Sequence, residues 1–153
     1  MRILAILALL SVAGPASATP PKRQQQLMDE VERSVVLPKG AQPLNAYGRN
    51  YAFSGKGKVV ATYLIPFPPF DMSEGCDVML KNFDSRPCTK KEIAESVRSN
   101  ARDVAAQTPA GSRRWYRSPN SLPFINDGGC LQISVEYDIA AHHIVRVSCN
   151  GYA

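Results

Sequence analysis

The sequence predicts an α+β fold, an antiparallel sheet of about four or five strands with two helices on one face, stapled by disulfides. Three observations carry this expectation. Two stretches repeat apolar residues at helical spacing between recognisable end signals. Two others alternate apolar and polar residues about short turns. Four cysteines stand in a chain of 153 residues that opens like an exported one.

The opening, MRILAILALLSVAGPASATPP, has Arg2 ahead of an almost wholly apolar run from Ile3 to Val12. A Gly14-Pro15 break and the small-x-small pattern Ala16-Ser17-Ala18 follow. Residues 1–18 are therefore expected to be a signal peptide and residues 19–153 a single α+β domain. The apolar run falls short of the roughly 20 residues a bilayer span needs, and no later run is apolar enough, so no transmembrane segment is expected after cleavage. Export decides how Cys76, Cys88, Cys130 and Cys149 are read. An even number in a small exported chain favours two disulfides over thiol chemistry, and no pair has the Cys-x-x-Cys spacing of a redox or zinc motif.

Without Arg2 the chain carries 17 basic and 13 acidic side chains, a formal charge of +4. That bias is compatible with loose attraction to anionic polymers or lipid surfaces. It is far from the dense basic stripe that nucleic-acid binding shows, so no nucleic-acid partner is expected.

In PKRQQQLMDEVERSVVLPKG, Leu27, Met28, Val31 and Val35 recur at helical spacing, Pro21 precedes the run, and Pro38 with Gly40 ends it. The polar face, with Asp29, Glu30, Glu32 and Arg33, reads as solvated. AYGRNYAFSGKGKVVATYLIP reads as a hairpin about Gly55-Lys56-Gly57, with Phe53 opposite Val59, Tyr51 opposite Ala61 and Arg49 opposite Tyr63. Arg49 is the exception on that apolar face and is expected to lie along Tyr63 with its head in water. Pro66, Pro68 and Pro69 then end the strand and hold the chain extended. Beyond them the chain shows no clear period, and a Cys76–Cys88 bridge closing a loop of about a dozen residues would tie it down.

TKKEIAESVRSNARDVAAQTPAG is the clearest helix. Thr89 and Glu92 form a capping box, Ile93, Val97, Ala101 and Val104 line one face, and Pro109 with Gly111 closes the end. GSRRWYRSPNSLP reads as an edge strand with Trp115 buried and its arginines exposed. In PFINDGGCLQISVEYDIAAHHIVRVSCNGYA, Leu131, Ile133, Val135 and Tyr137 alternate with polar residues. A turn falls at 138–141, and Val145, Val147 and Cys149 alternate on the return. Matching the apolar faces sets Leu131 opposite Cys149, Ile133 opposite Val147 and Val135 opposite Val145. Direct opposition of Cys130 and Cys149 would need a slip of one residue, so the disulfide is expected across a bulged end near Gly128-Gly129.

This last segment also holds the parts of a cysteine hydrolase or a metal site. A thiolate nucleophile is disfavoured by export beside a partner cysteine. Adjacent His142 and His143 would point to opposite faces of a strand, a poor arrangement for two ligands on one metal. Asp71, Glu74 and Asp77 lack the ordered spacing of a calcium loop. No metal, cofactor or catalytic residue is expected.

LPFINDGGC followed by a terminal CNGYA, together with LPKGA, YGRNYAF and GKVVATYL, resembles a group of small exported bacterial proteins. The resemblance covers most of the chain after residue 18 and implies export into a Gram-negative periplasm. It implies no catalytic residue, because the group carries no established activity.

The functional expectation is a non-enzymatic periplasmic or secreted module that binds a protein or another envelope component. Its expected surface is Arg113, Arg114, Trp115 and Tyr116, with the rim of residues 66–70 beside it. The alternatives are a small hydrolase acting on an envelope polymer, with His142 or His143 as base and Asp127 or Asp138 as its partner, and a secreted enzyme inhibitor.

Overall fold

The computed structural model describes residues 21–55, 57–70 and 75–151, so the expected signal peptide lies outside the described residues. Helix α1 (Lys22–Ser34) begins after Pro21 and turns Leu27, Met28 and Val31 inward, as their spacing predicts. A single 3-10 turn at Leu44–Ala46 leads into β1 (Gly48–Ser54). Gly55 and Gly57, both at positive φ, bend the chain back into β2 (Lys58–Leu64). Phe53 faces Val59, Tyr51 faces Ala61 and Arg49 faces Tyr63, the register expected from the sequence.

An excursion follows, containing the short hairpin β3 (Asp77–Met79) and β4 (Ser85–Pro87) within the Cys76–Cys88 disulfide. Helix α2 (Lys90–Ala106) then returns the chain to β5 (Arg113–Trp115), and the chain ends in the long hairpin β6 (Gly129–Asp138) and β7 (His143–Asn150). The main sheet runs β5-β1-β2-β6-β7. Every pairing in it is antiparallel except β1 with β5, since α2 carries the chain back to the edge in the direction β1 already runs.

The core lies between α1 and one face of this sheet. Tyr51, Val59, Ala61 and Tyr63 share that face with Ile133, Val135 and Tyr137, and they meet Leu27, Met28 and Val31 of the helix. Each large side chain so buried stabilises the fold by about 1.5–3 kcal/mol.

The α+β class, the five strands and both disulfides stand as expected, but α2 is placed differently. Its capping box forms, yet the helix buries no residue. Ile93 is 36% exposed and Val97 48%. Its tie to the sheet is at its exit, where the Thr108 hydroxyl donates to Asn50 Oδ1 at 2.6 Å. Asn50 alternates with Tyr51 and so lies on the face opposite α1. The two helices therefore do not share one face: α1 fills the apolar side, and the stripe on α2, most of it alanine or valine, finds no second core.

The terminal hairpin also departs from expectation. Ile133 faces Cys149 and Val135 faces Val147, a shift of two residues that preserves which side chains share a face. The turn falls at 139–142, one residue late, because Asp138 accepts the N–H groups of Ala140 and Ala141, each at 2.9 Å. A bulge then sets Ile144, rather than Val145, opposite Tyr137, leaving Val145 47% exposed. A second irregularity between Gly129 and Ile133 lets Cys130 and Cys149 join across a bulged end, as expected. It leaves Leu131 exposed and Gln132 buried, with Gln132 Oε1 accepting from Ile125 N–H at 2.7 Å.

Candidate functional site

Strand β5 divides the four residues that the sequence groups together. Arg113 and Trp115 pair with Arg49 and Tyr51, so they turn toward α1. Arg113 forms an ion pair with Asp29 and lies 3.8 Å from Glu32. The hydrogen bond from Arg113 holds the Asp29 carboxyl below the usual carboxylate range and raises the guanidinium above its own. Trp115 is half-buried, stacked on Tyr51 at 6.2 Å between centroids and edge-on to Phe53 at 4.8 Å. The edge-strand reading thus holds for Trp115. Arg114 and Tyr116 turn to the other face, where Arg114 Nη1 donates to Ala106 O at 2.7 Å and the guanidinium lies 5.9 Å from the Tyr116 ring centre. A cation on the last carbonyls of α2 stabilises that helix end.

That second face carries two clefts, one lined in part by Ser121, Pro123 and Phe124 and the other by their neighbour Leu122. One, of about 560 Å³, is lined by Asn50, Leu64, Gln107, Arg114, Tyr116 and Phe124. The other, of about 380 Å³, is lined by Thr62, Ser134, Glu136, Arg146 and Ser148 among others. Some of their polar groups are engaged within the fold. Asn50 Nδ2 donates to Gly48 O and Thr62 O, each at 3.0 Å, and Glu136 pairs with Lys58 opposite Arg146.

The acidic face of α1 is not solvated as expected but turned to the sheet. Glu32 accepts from Arg49 Nη1 at 3.1 Å and from the Tyr51 hydroxyl at 2.7 Å. Arg49 has its head in this network and on Gly111 O at 2.6 Å, not in water. Burial pushes the Tyr51 hydroxyl far above the usual tyrosine range and Tyr63 up to about 12. Both therefore stay protonated in a structural network, in which the Tyr51 hydroxyl donates to Glu32 and lies 3.3 Å from the Tyr63 hydroxyl. The clue in the sequence was Arg49, a cation on an apolar face that required an acid above it.

The histidines sit at the β6–β7 turn. His142, at φ +51°, places Nδ1 3.4 Å from both Glu30 Oε2 and the Tyr137 hydroxyl. Its neighbours are thus Glu30 and Tyr137, while Asp138 is held by the turn N–H groups, which lower its pKa. His143 pairs across the hairpin with Asp138 in an exposed position. Asp127 is exposed in the loop before β6, at φ +50°. Asp71 and Glu74 lie outside the described residues; among those described, no three metal-ligating side chains come together.

The most exposed apolar surface lies elsewhere. Of eleven large apolar side chains exposed among the described residues, seven (Phe67, Phe70, Met79, Leu80, Phe83, Ile93 and Val97) fall between residues 66 and 107. Here the chain forms an arm on the sheet. Phe67 N–H donates to Gln107 Oε1 at 2.7 Å and Phe70 N–H to Asn100 Oδ1 at 2.9 Å, so the proline-rich strap runs antiparallel along α2. Between strap and helix is a cavity of about 310 Å³ lined by Pro69, Phe70, Val97, Asn100, Ala101 and Val104. Arg86 holds the small hairpin to α2 through both oxygens of Glu92, at 2.9 and 2.8 Å. Those bonds and the Thr89 cap lower the Glu92 carboxyl to about 2.

No family model, curated protein or solved structure matches this chain. Two closed disulfides mark an oxidising, extracytoplasmic compartment, and no helix among the described residues is long and apolar enough to cross a membrane.

Proposed function

We propose that this protein is a non-enzymatic binding or assembly module of the periplasm or the secreted medium, and that the arm formed by residues 66–70 and 75–107 is its recognition element. The observation that carries the reading is the concentration of exposed apolar side chains on the strap, the small hairpin and a helix that buries none of its own residues. Monomeric proteins seldom expose contiguous apolar surface without a partner for it. The arm is also preformed. A capping box, a disulfide and the amide bonds of Asn100 and Gln107 hold it in place before any partner arrives, which lowers the ordering cost of binding.

The test is capture from an envelope extract with the oxidised protein as bait. Val97→Asp changes an exposed position and should leave the circular dichroism spectrum unchanged, so loss of capture by this variant alone would place recognition on the arm. Loss with Tyr116→Ala instead would return it to the segment at β5. Capture unchanged by both would refute both placements.

A further inference from the structure

The pattern of charge on α2 identifies the chemical class of what it meets. At 100° per residue, Ile93, Ala94, Val97, Ala101, Val104 and Ala105 fall within a sector of about 120°. One border of that sector is the strap, held by Asn100 and Gln107. The other is a row of cations, Lys91, Arg98 and Arg102, with Lys90 at the stripe's N-terminal end. All four are exposed, and Lys91 Nζ makes only a 3.9 Å contact with Glu95. The remaining acids of the helix, Glu92 and Asp103, lie on the opposite side, and Glu92 is engaged with Arg86.

A second copy of the chain is a poor occupant. A two-fold antiparallel helix pair sets each flank against the same flank of its copy, so the cationic row would face itself. A convex helix with a modest apolar stripe, a cationic border and an aromatic side chain beside it, here Phe70 at 77% exposed, has the design of a helix that lies in the plane of a membrane surface. Long Lys and Arg side chains reach sideways to anionic headgroups while the stripe enters the acyl boundary. A folded acidic partner would have to supply a groove to match the convex face; a bilayer does not.

We infer that α2 and the strap dock this protein on an anionic lipid surface, with Ile93, Val97 and Phe70 entering the interface and Lys91, Arg98 and Arg102 on the headgroups. The inference rests on the arm being the recognition element and names its partner class. It is tested by co-sedimentation of the oxidised protein with vesicles of phosphatidylcholine alone and of phosphatidylcholine mixed with phosphatidylglycerol. The protein should pellet with the mixed vesicles, not with the zwitterionic ones, and should be released by salt. Each cation near an anionic surface contributes about fivefold, so Arg98→Gln with Arg102→Gln should weaken partitioning about 25-fold. Val97→Asp should weaken it by at least about tenfold. Equal pelleting with both vesicle types, no pelleting with either, or indifference to these variants would overturn the lipid assignment. If vesicles fail but Val97→Asp still abolishes capture of an envelope protein, the arm remains a recognition element with a protein partner. If Val97→Asp changes neither, both readings fall.

Discussion

Glu32→Ala should be among the most damaging single substitutions in this fold, although Glu32 lies on what reads as a solvated helix face. Its carboxylate is 17% exposed and the Arg49 side chain facing it 11%. Removing the acid strips Arg49 of its one close counter-ion among the described residues and leaves the guanidinium with one strong acceptor there, Gly111 O, and an Nε with no partner among them. Breaking a buried ion pair from one side costs about 3–5 kcal/mol. Residual exposure and the distant compensation by Asp29 toward Arg113 favour the low end, and the Tyr51 hydroxyl also loses its acceptor. The expected loss is about 3 kcal/mol, or about 10 °C in Tm for a domain of this size, read from urea and thermal unfolding by circular dichroism. Glu32→Leu combined with Arg49→Met removes both charges and should recover about 2 kcal/mol of that loss, a coupling that a double-mutant cycle isolates. A loss below about 1 kcal/mol for Glu32→Ala would show a pair no stronger than a surface one and refute the reasoning.

The two disulfides should behave differently. By chain entropy each is worth about 3 kcal/mol. Cys130→Ser with Cys149→Ser should therefore lower the Tm of the sheet by about 10 °C. Cys76→Ser with Cys88→Ser should leave sheet unfolding nearly unchanged and instead speed protease cleavage within the arm, since the bridge closes a segment outside the core. Gly48→Ala should cost about 2 kcal/mol or more and loosen α2 in hydrogen exchange, because its Cβ would sit 1.9 Å from the backbone oxygen of Thr108. Alkaline stability follows from Tyr51 and Tyr63, whose folded pKa values are raised by burial. Their contribution is complete below the ordinary tyrosine value near 10; Tyr63's is lost as pH rises through about 12, and Tyr51's only at higher pH still. Tyrosinate absorbance should show Tyr51 and Tyr63 among the late-titrating residues, ionising as the sheet unfolds.

What could be read from the sequence was whatever depended on local period or on a single turn. The β1–β2 register followed from alternation about Gly55 and Gly57, and the Thr89–Glu92 capping box from its spacing. Three things needed the tertiary structure. The β6–β7 register slipped by two residues because Asp138 capped a later turn and a bulge at Val145 absorbed one residue. The acids of α1 looked solvated because their partners, Arg49, Arg113 and Tyr137, lie 17, 84 and 107 residues away in pairs with Glu32, Asp29 and Glu30. Arg113, Arg114, Trp115 and Tyr116 looked like one surface because they are adjacent in sequence, whereas a strand sends alternate residues to opposite faces.

The placement of α2 is the most consequential difference. An amphipathic stripe predicts that a helix will be covered but not by what, and here α1 already covers the apolar face of the sheet. An isolated helix of 17 residues is marginal in water, so α2 persists through local devices: the cap at Thr89, Arg114 on its last carbonyls, the Arg86–Glu92 pair and the strap. Each of these acts on the helix ends or on one flank, and none covers Ile93 or Val97. A chain that only needed a connection from β2 to β5 could have made it with a short polar loop. Rigid support for an apolar stripe that remains uncovered is the arrangement expected of a surface completed by something outside the chain, and the cations along its free border favour an anionic one.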